Sequence, residues 1–184
     1  MDDCTRMLWL FLIKLKSDVC VVLKNFFTLV KTQFNLLVKV IRTDNGSEFI
    51  NTECTHLYTS MGIIHQRTCI HTPQQNGIAE RKHRHILEVA RAIRFQGHIP
   101  IRFWGHCILN AAYIINRLPT SVLHGKSPYE MFHKCKPSLQ HMRVIGCLCF
   151  AKNMHIKDKF HSRSVIAVHM GYSAHTKGIS VIQH

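Results

Sequence analysis

Two short stretches carry side chains of the type used in metal-assisted chemistry on phosphate. In IRTDNGSEF, Asp44 closes an apolar, β-branched run; in HTPQQNGIAERKHRHILE, Glu80 opens a basic stretch. Between them lie 35 residues. A carboxylate at the C-terminal end of a strand faces the crevice where open α/β sheets bind ligands. A second carboxylate, on a helix packed against that strand, can meet the first across a divalent ion. Carboxylate oxygens are hard ligands and suit Mg²⁺ or Mn²⁺. Two such ions ~3.5–4 Å apart activate a nucleophile and stabilise the leaving oxygen of a phosphodiester. Each acid also has an ordinary reading. Asp before Asn-Gly is a common turn residue. A Glu in a first helical turn stabilises the helix N-terminus or pairs with a base one turn later, here Arg84. Asp2 and Asp3, before the apolar run MLWLFLI, are either a third ligand source or the polar turn of a hairpin.

Basic side chains surround these acids. Arg81, Lys82, Arg84, Arg91 and Arg94 share a helical stretch with Glu80. Those that face solvent are candidates for phosphate contacts whose affinity falls steeply with salt. The polar residues Gln74, Gln75 and Asn76, next to Glu80, are expected in a mobile loop within reach of a nucleic-acid backbone. Lys152, Lys157, Lys159 and Arg163 form a second candidate phosphate patch. Net charge is +14, and it is uneven. Residues 1–80 hold 8 Lys/Arg against 7 Asp/Glu, whereas residues 81–184 hold 16 against 3. Such an excess points to a polyanion, DNA or RNA, with a plain solubilising surface as the alternative. Nothing resembles a helix built to read base edges, so sequence-independent binding is expected.

The elements that must position these residues follow from periodicity. Thr5 to Leu15 reads as a strand. A helix starts near Val19, after Ser17 and Asp18, with Val22, Leu23, Phe26, Phe27, Val30 and Phe34 on one face. Leu37 to Arg42 reads as a strand running into the TDNG turn. Thr52 to Met61 reads as a short helix and Ile63 to Thr68 as a short strand. Ile78 to Phe95 is a helix ended by Gly97. The next helix begins at Pro100 and stops at Pro119, with Trp104, Ile108, Ala111, Ile115 and Leu118 expected mostly in the core. VIGCLCFA and VIAVHMGY read as strands of a small all-β tail. The corresponding segments are 1–118, a linker over 119–140, and 141–184.

The chain is 46% apolar, enough for a core. No apolar run approaches the ~18 residues of a bilayer span. No signal peptide is visible, so a secreted protein is not expected. The eight cysteines include no C-x-x-C pair and are read as reduced thiols.

T-D-N-G-S-E-F, H-T-P-Q-Q-N-G and A-E-R-K together resemble the integrase of copia-type retrotransposons. FWG, NAAYIINRLPTSVLHGKSPYEMF, RVIGCLCF and GYSAHTKG extend the resemblance over almost the whole chain. The 35-residue spacing of the two acids is also a feature of that family. The resemblance implies an RNase H-like α/β core, a mixed sheet with flanking helices, followed by an SH3-like β module. It implies a Pol polyprotein origin, two Mg²⁺ or Mn²⁺ ions, and Asp44 and Glu80 as catalytic metal ligands. It further implies DNA 3′-end processing and strand transfer, retroelement ends and target DNA as partners, and homo-oligomers. The place of action would be the nucleus, as the site of integration, or the cytoplasm, with no membrane.

The family's site uses three acids. MDDCTRMLWLFLIKLKS resembles the hairpin of the second and third strands, which follows the strand bearing the first catalytic Asp. The resemblance therefore implies a core lacking its first strand and first acid. Asp2 and Asp3 then become turn residues, and the fragment is expected to be catalytically incompetent alone. No arrangement of His and Cys matches the family's N-terminal zinc module. Ile70 and His83 also depart from the family's usual Pro and Asn.

Overall fold

The computed structural model describes residues 1–68, 77–153, 158, 160–172 and 179–183. In chain order the elements are α1 (Val19–Phe34), β1 (Val40–Thr43), α2 (Ser47–Ile50), α3 (Thr52–Met61), β2 (Ile64–Arg67) and α4 (Gly77–Gln96). Then come α5 (Trp104–Arg117), α6 (Pro128–His133), β3 (Leu148–Lys152), β4 (Ser164–Tyr172) and β5 (Ile179–Gln183). The fold is α/β. Among the described residues no helix is long and apolar enough to cross a membrane. The chain forms two compact units, one of residues Phe11–Lys82 and one of Met1–Leu10 with His83–His184.

In the Phe11–Lys82 unit, β1 and β2 pair in parallel from Val40↔Ile64 to Thr43↔Arg67. Parallel neighbours need a crossover, and α2 with α3 supplies it. The Asn51 side chain caps α3 by accepting the Cys54 N–H at 2.8 Å. Gly62, at φ +66, lets the chain leave the helix and enter β2. Phe27, Cys54, Leu57, Tyr58 and Ile63 form the core, with Cys20, Leu23 and Ile41 packed against it. The opposite face of the two-stranded sheet, Val40 beside Ile64, is exposed.

In the other unit α5 is the spine. Its Cys107, Ala111 and Ile115 pack against Ile86 and Ala90 of α4, and against Leu8, Ile145 and Met170. The strands form an antiparallel sheet in the order β3-β4-β5. Two buried asparagines of α5 take the role of strand neighbours. Asn116 accepts the Leu8 N–H and donates to the Leu8 carbonyl, both at 2.9 Å. Asn110 donates to the Met170 carbonyl at 2.7 Å and accepts the Tyr172 N–H at 3.3 Å. Gly171 lies between these last two groups at φ +139, and a Cβ there would overlap the Asn110 carboxamide. Gly146 meets Gly97 so closely that a Cβ on Gly146 would stand 2.7 Å from the Gly97 carbonyl oxygen.

Several expectations are corrected. Thr5 to Leu15 forms no strand. The turn at its start is made: Asp2 N–H donates to the Met7 carbonyl and Arg6 N–H to the Asp2 carbonyl, each at 2.9 Å. Beyond it, Leu8 finds its backbone partner in the Asn116 side chain rather than in a neighbouring strand. A strand is defined by such a neighbour, and β-forming composition cannot supply one. Trp104 and Leu118, expected in the core, are 52% and 51% exposed. They stand at the two ends of α5, off its buried stripe. The 119–140 stretch contains α6. Ser127 caps α6 by accepting the Glu130 N–H at 3.1 Å. The Arg117 guanidinium lies 3.4 Å from the Tyr113 ring centre and 4.9 Å from that of Tyr129, tying α6 to α5.

Candidate functional site

β1 delivers Asp44 to its C-terminal end, exposed to solvent. The turn beyond it is held by short bonds. Gly46 N–H donates to Asp44 Oδ1 at 3.1 Å, which is the turn role expected of an Asp before Asn-Gly. Asn45 Nδ2 donates to the Thr68 carbonyl at 2.7 Å, joining the end of β1 to the end of β2. Thr43, buried beneath, donates its hydroxyl to the Asp44 carbonyl at 2.8 Å. The same hydroxyl lies 2.8 Å from His65 Nε2 on the paired strand. His65 packs against Tyr58 at 4.7 Å between ring centres. Burial, and after it Arg67, pulls the His65 imidazole below its ordinary range. The neutral ring is thereby favoured at the base of the Asp44 turn.

Glu48 is a neighbour that the sequence reading did not single out. A Cβ on Gly46 would stand 2.9 Å from the Glu48 carboxyl and 3.1 Å from Asp44 Oδ1. Both carboxylates thus converge on the bare α-carbon of Gly46, a reason for glycine there. Glu48 pairs with Lys16 at 3.4 Å. Its own backbone N–H, then that lysine, lowers its carboxyl below the usual range, against some desolvation. The signal in the sequence was the i, i+4 spacing of Asp44 and Glu48 across a glycine turn.

Glu80 sits in the first turn of α4, exposed. Among the described residues the ion pairs are Asp3 with Arg6 and Lys16 with Glu48, so Glu80 does not pair with Arg84. Asp44 and Glu80 both belong to the Phe11–Lys82 unit. Among the described residues no group of three His, Cys, Asp or Glu side chains is gathered as for a metal ion. Asp2 is engaged otherwise: its Oδ2 accepts from the Thr5 N–H at 2.7 Å and the Thr5 hydroxyl at 2.6 Å. Asp3 faces Arg6 at 3.6 Å.

On α4, Ile86 and Ala90 are buried while Arg81, Arg84 and Arg91 are exposed. Glu80, Arg84, Glu88 and Arg91 fall at helical spacing along one stripe, so the acids partly offset its charge. Lys82 is half-buried, and Arg94 lies over the Phe95 ring at 5.0 Å. Lys152 ends β3, exposed, opposite Ser164, and Arg163 is exposed nearby in sequence. Gln74, Gln75, Asn76, Lys157 and Lys159 lie outside the described residues.

No family model matches the chain. Comparison with solved structures gives the fold. A chain in the cryo-EM structure of the simian T-cell lymphotropic virus intasome, in complex with PP2A regulatory subunit B56 gamma, matches with a TM-score of 0.54. The match covers 93% of this chain and 63% of that one, at 16% identity. The molecule is therefore of the α/β class found in an intasome structure. Comparison with curated proteins gives the relatives. The retrovirus-related Pol polyprotein from transposon TNT 1-94 of Nicotiana tabacum is 34% identical over 175 residues, 93% of this chain. That from transposon RE1 of Arabidopsis thaliana is 34% identical over 173 residues, 94% of this chain. The chain belongs, by homology over nearly its whole length, with the retrovirus-related Pol polyproteins of transposons. It spans 13% and 12% of the length of these two relatives.

Proposed function

We propose that this chain is the integrase segment of a copia-type Pol polyprotein and serves DNA integration. One observation carries the reading. Asp44 stands at the C-terminal end of β1 in a parallel β-α-α-β arrangement, and Glu80 opens the next long helix. The relatives named above support it. The proposed core is RNase H-like, and the β3-β4-β5 sheet is its SH3-like module. DNA ends and target DNA are the proposed partners, with assembly into homo-oligomers and action in the nucleus.

Asp44 and Glu80 would hold Mg²⁺ or Mn²⁺. Both carboxylates are exposed, hard-oxygen donors and fit such ions in type. Bound there, the metal would supply positive charge to the attacking and leaving oxygens of a phosphodiester. The backbone N–H of Gly46 fixes the Asp44 carboxylate, and Thr43 fixes its carbonyl. Arg81, Lys82, Arg84 and Arg91, with Gln74, Gln75 and Asn76, and Lys152, Lys157 and Lys159 are the proposed phosphate contacts. By itself this chain is proposed to be inactive. The family's site takes three acids, and Asp2 and Asp3 are engaged by Thr5 and Arg6.

The purified chain, given Mn²⁺, a labelled DNA end and a target duplex, is expected to bind DNA without joining it. Joining that disappears in Asp44→Asn and in Glu80→Gln would overturn the inactivity. The charge of residues 81–184 favours a second reading, a non-catalytic nucleic-acid-binding remnant. Mn²⁺ binding that Asp44→Asn abolishes supports the integrase reading. DNA binding that falls with salt, without any Mn²⁺ binding, supports the remnant.

A further inference from the structure

Two thiols in the Phe11–Lys82 unit have no part in the site described above. Cys20 lies on the first turn of α1 and Cys54 on the first turn of α3. Cys54 is wholly buried, and Cys20 packs, half-buried, against the same core. The two thiols thus share one packed cluster, Cys54 within it and Cys20 against it. Burial first, and then Cys20, pushes the Cys54 thiol up to about 11. Cys54 therefore stays protonated at neutral pH and is protected from direct oxidation. Cys20 is placed differently. It lines a cleft of ~530 Å³ between α1 and α3, together with Lys24, Glu53 and His56. A small oxidant can reach Cys20 through this cleft, whereas Cys54 is not among the residues that line it.

We propose that Cys20 and Cys54 are a reversible oxidation site, taking a hydroperoxide as oxidant and closing to a disulfide between α1 and α3. The Cys20 sulfur attacks the peroxide, the O–O bond breaks, and Cys20 becomes a sulfenic acid as the peroxide leaves as alcohol or water. The Cys54 thiol then attacks the Cys20 sulfenic sulfur, its proton leaves with the sulfenic oxygen as water, and the S–S bond forms. Two thiols lose two electrons and two protons, and one peroxide gains them. The step bears on the Asp44 turn. The Cys54 thiol donates to the Glu48 carbonyl at 3.3 Å, and a disulfide removes that donor. The α2 turn, two residues beyond Gly46, then loses a bond while α3 is tied to α1.

The full chain, exposed to stoichiometric hydrogen peroxide, alkylated and digested without reductant, tests this by mass spectrometry. A peptide linking Cys20 to Cys54 is expected as the main cross-link, reversed by dithiothreitol. In Cys54→Ser, the Cys20 sulfenic acid should accumulate and be trapped by dimedone. Exposed Cys4 and Cys135 serve as internal controls for unselective oxidation. The proposal is overturned if Cys20 and Cys54 remain fully alkylatable while Cys4 and Cys135 are oxidised. It is also overturned if Cys20 links mainly to another cysteine.

Discussion

The unit built on α5 and the unit that carries Asp44 meet the same difficulty: short strands leave backbone groups to be satisfied. Around α5, buried side chains do this. Asn110 and Asn116 each serve a donor and an acceptor of an extended segment, across 60 to 108 residues of sequence. In the Phe11–Lys82 unit the equivalent bonds are local or exposed. Gly46 to Asp44, Cys54 to Asn51 and Asn45 to Thr68 hold turns and caps. Its two-stranded sheet keeps the face of Val40 and Ile64, shared with Arg42 and Gln66, turned to solvent. A small isolated sheet is marginal. The lesson is that the acids expected to do chemistry stand on the part with fewer long-range bonds, and the tail-bearing part is clamped.

The comparison can be broken most decisively at Gly171. Gly171→Ala forces a Cβ into the Asn110 carboxamide at a backbone angle that favours glycine. A loss of about 3–5 kcal/mol is expected, the upper range for a single change, read by urea denaturation. Adding Asn110→Ala should return part of it, and strict additivity would show that the clamp is not the cause.

Asn116→Ala comes next. It leaves the Leu8 N–H and carbonyl without their side-chain partner, at a cost of about 2–3 kcal/mol. Hydrogen exchange should quicken at Leu8 and along α5 before it does in α3. Equal quickening in both units would erase the distinction drawn between them.

In the other unit the expected effects are smaller. Asn51→Ala removes the cap of α3 and should cost about 1 kcal/mol, seen as faster exchange of the Cys54 and Thr55 amides. A loss as large as that of Asn116→Ala would put this unit on the same footing as its neighbour.

The smallest effect is set by pH. The His65 imidazole is held below its ordinary value by burial and Arg67. The unfolded chain therefore takes up this proton more readily than the folded one. Stability is full above the ordinary histidine value of about 6.5 and falls as pH drops through it. The loss levels off once pH is below the folded-state value too. His65→Gln should flatten this slope by a few tenths of a kcal/mol, within the usual range for a part-exposed residue. His133, lowered by burial and then Arg117, contributes with the same sign in the other unit. Melting curves at pH 5 and 8 that leave the wild-type and His65→Gln difference unchanged would remove His65 from the account.

Much of this was legible in the residues alone, and the division has a physical cause. Val19–Phe34, Thr52–Met61, Gly77–Gln96 and Trp104–Arg117 declare themselves, because helical bonds run between residues four apart and their apolar stripe is local. The turn at Asp44-Asn45-Gly46 is equally local. The cap of α6 was legible too, as Ser127 three residues before Glu130 with Pro128 between, although that stretch reads first as a linker. Tertiary structure alone decided three things. Thr5 to Leu15, strand-like in composition, forms no strand, because a strand exists only beside a partner. Asn110 and Asn116, polar residues of one helix, became clamps because Leu8 and Gly171 arrive at them from far along the chain. Cys20 and Cys54, separated by the whole of β1 and α2, became neighbours only when α3 folded against α1.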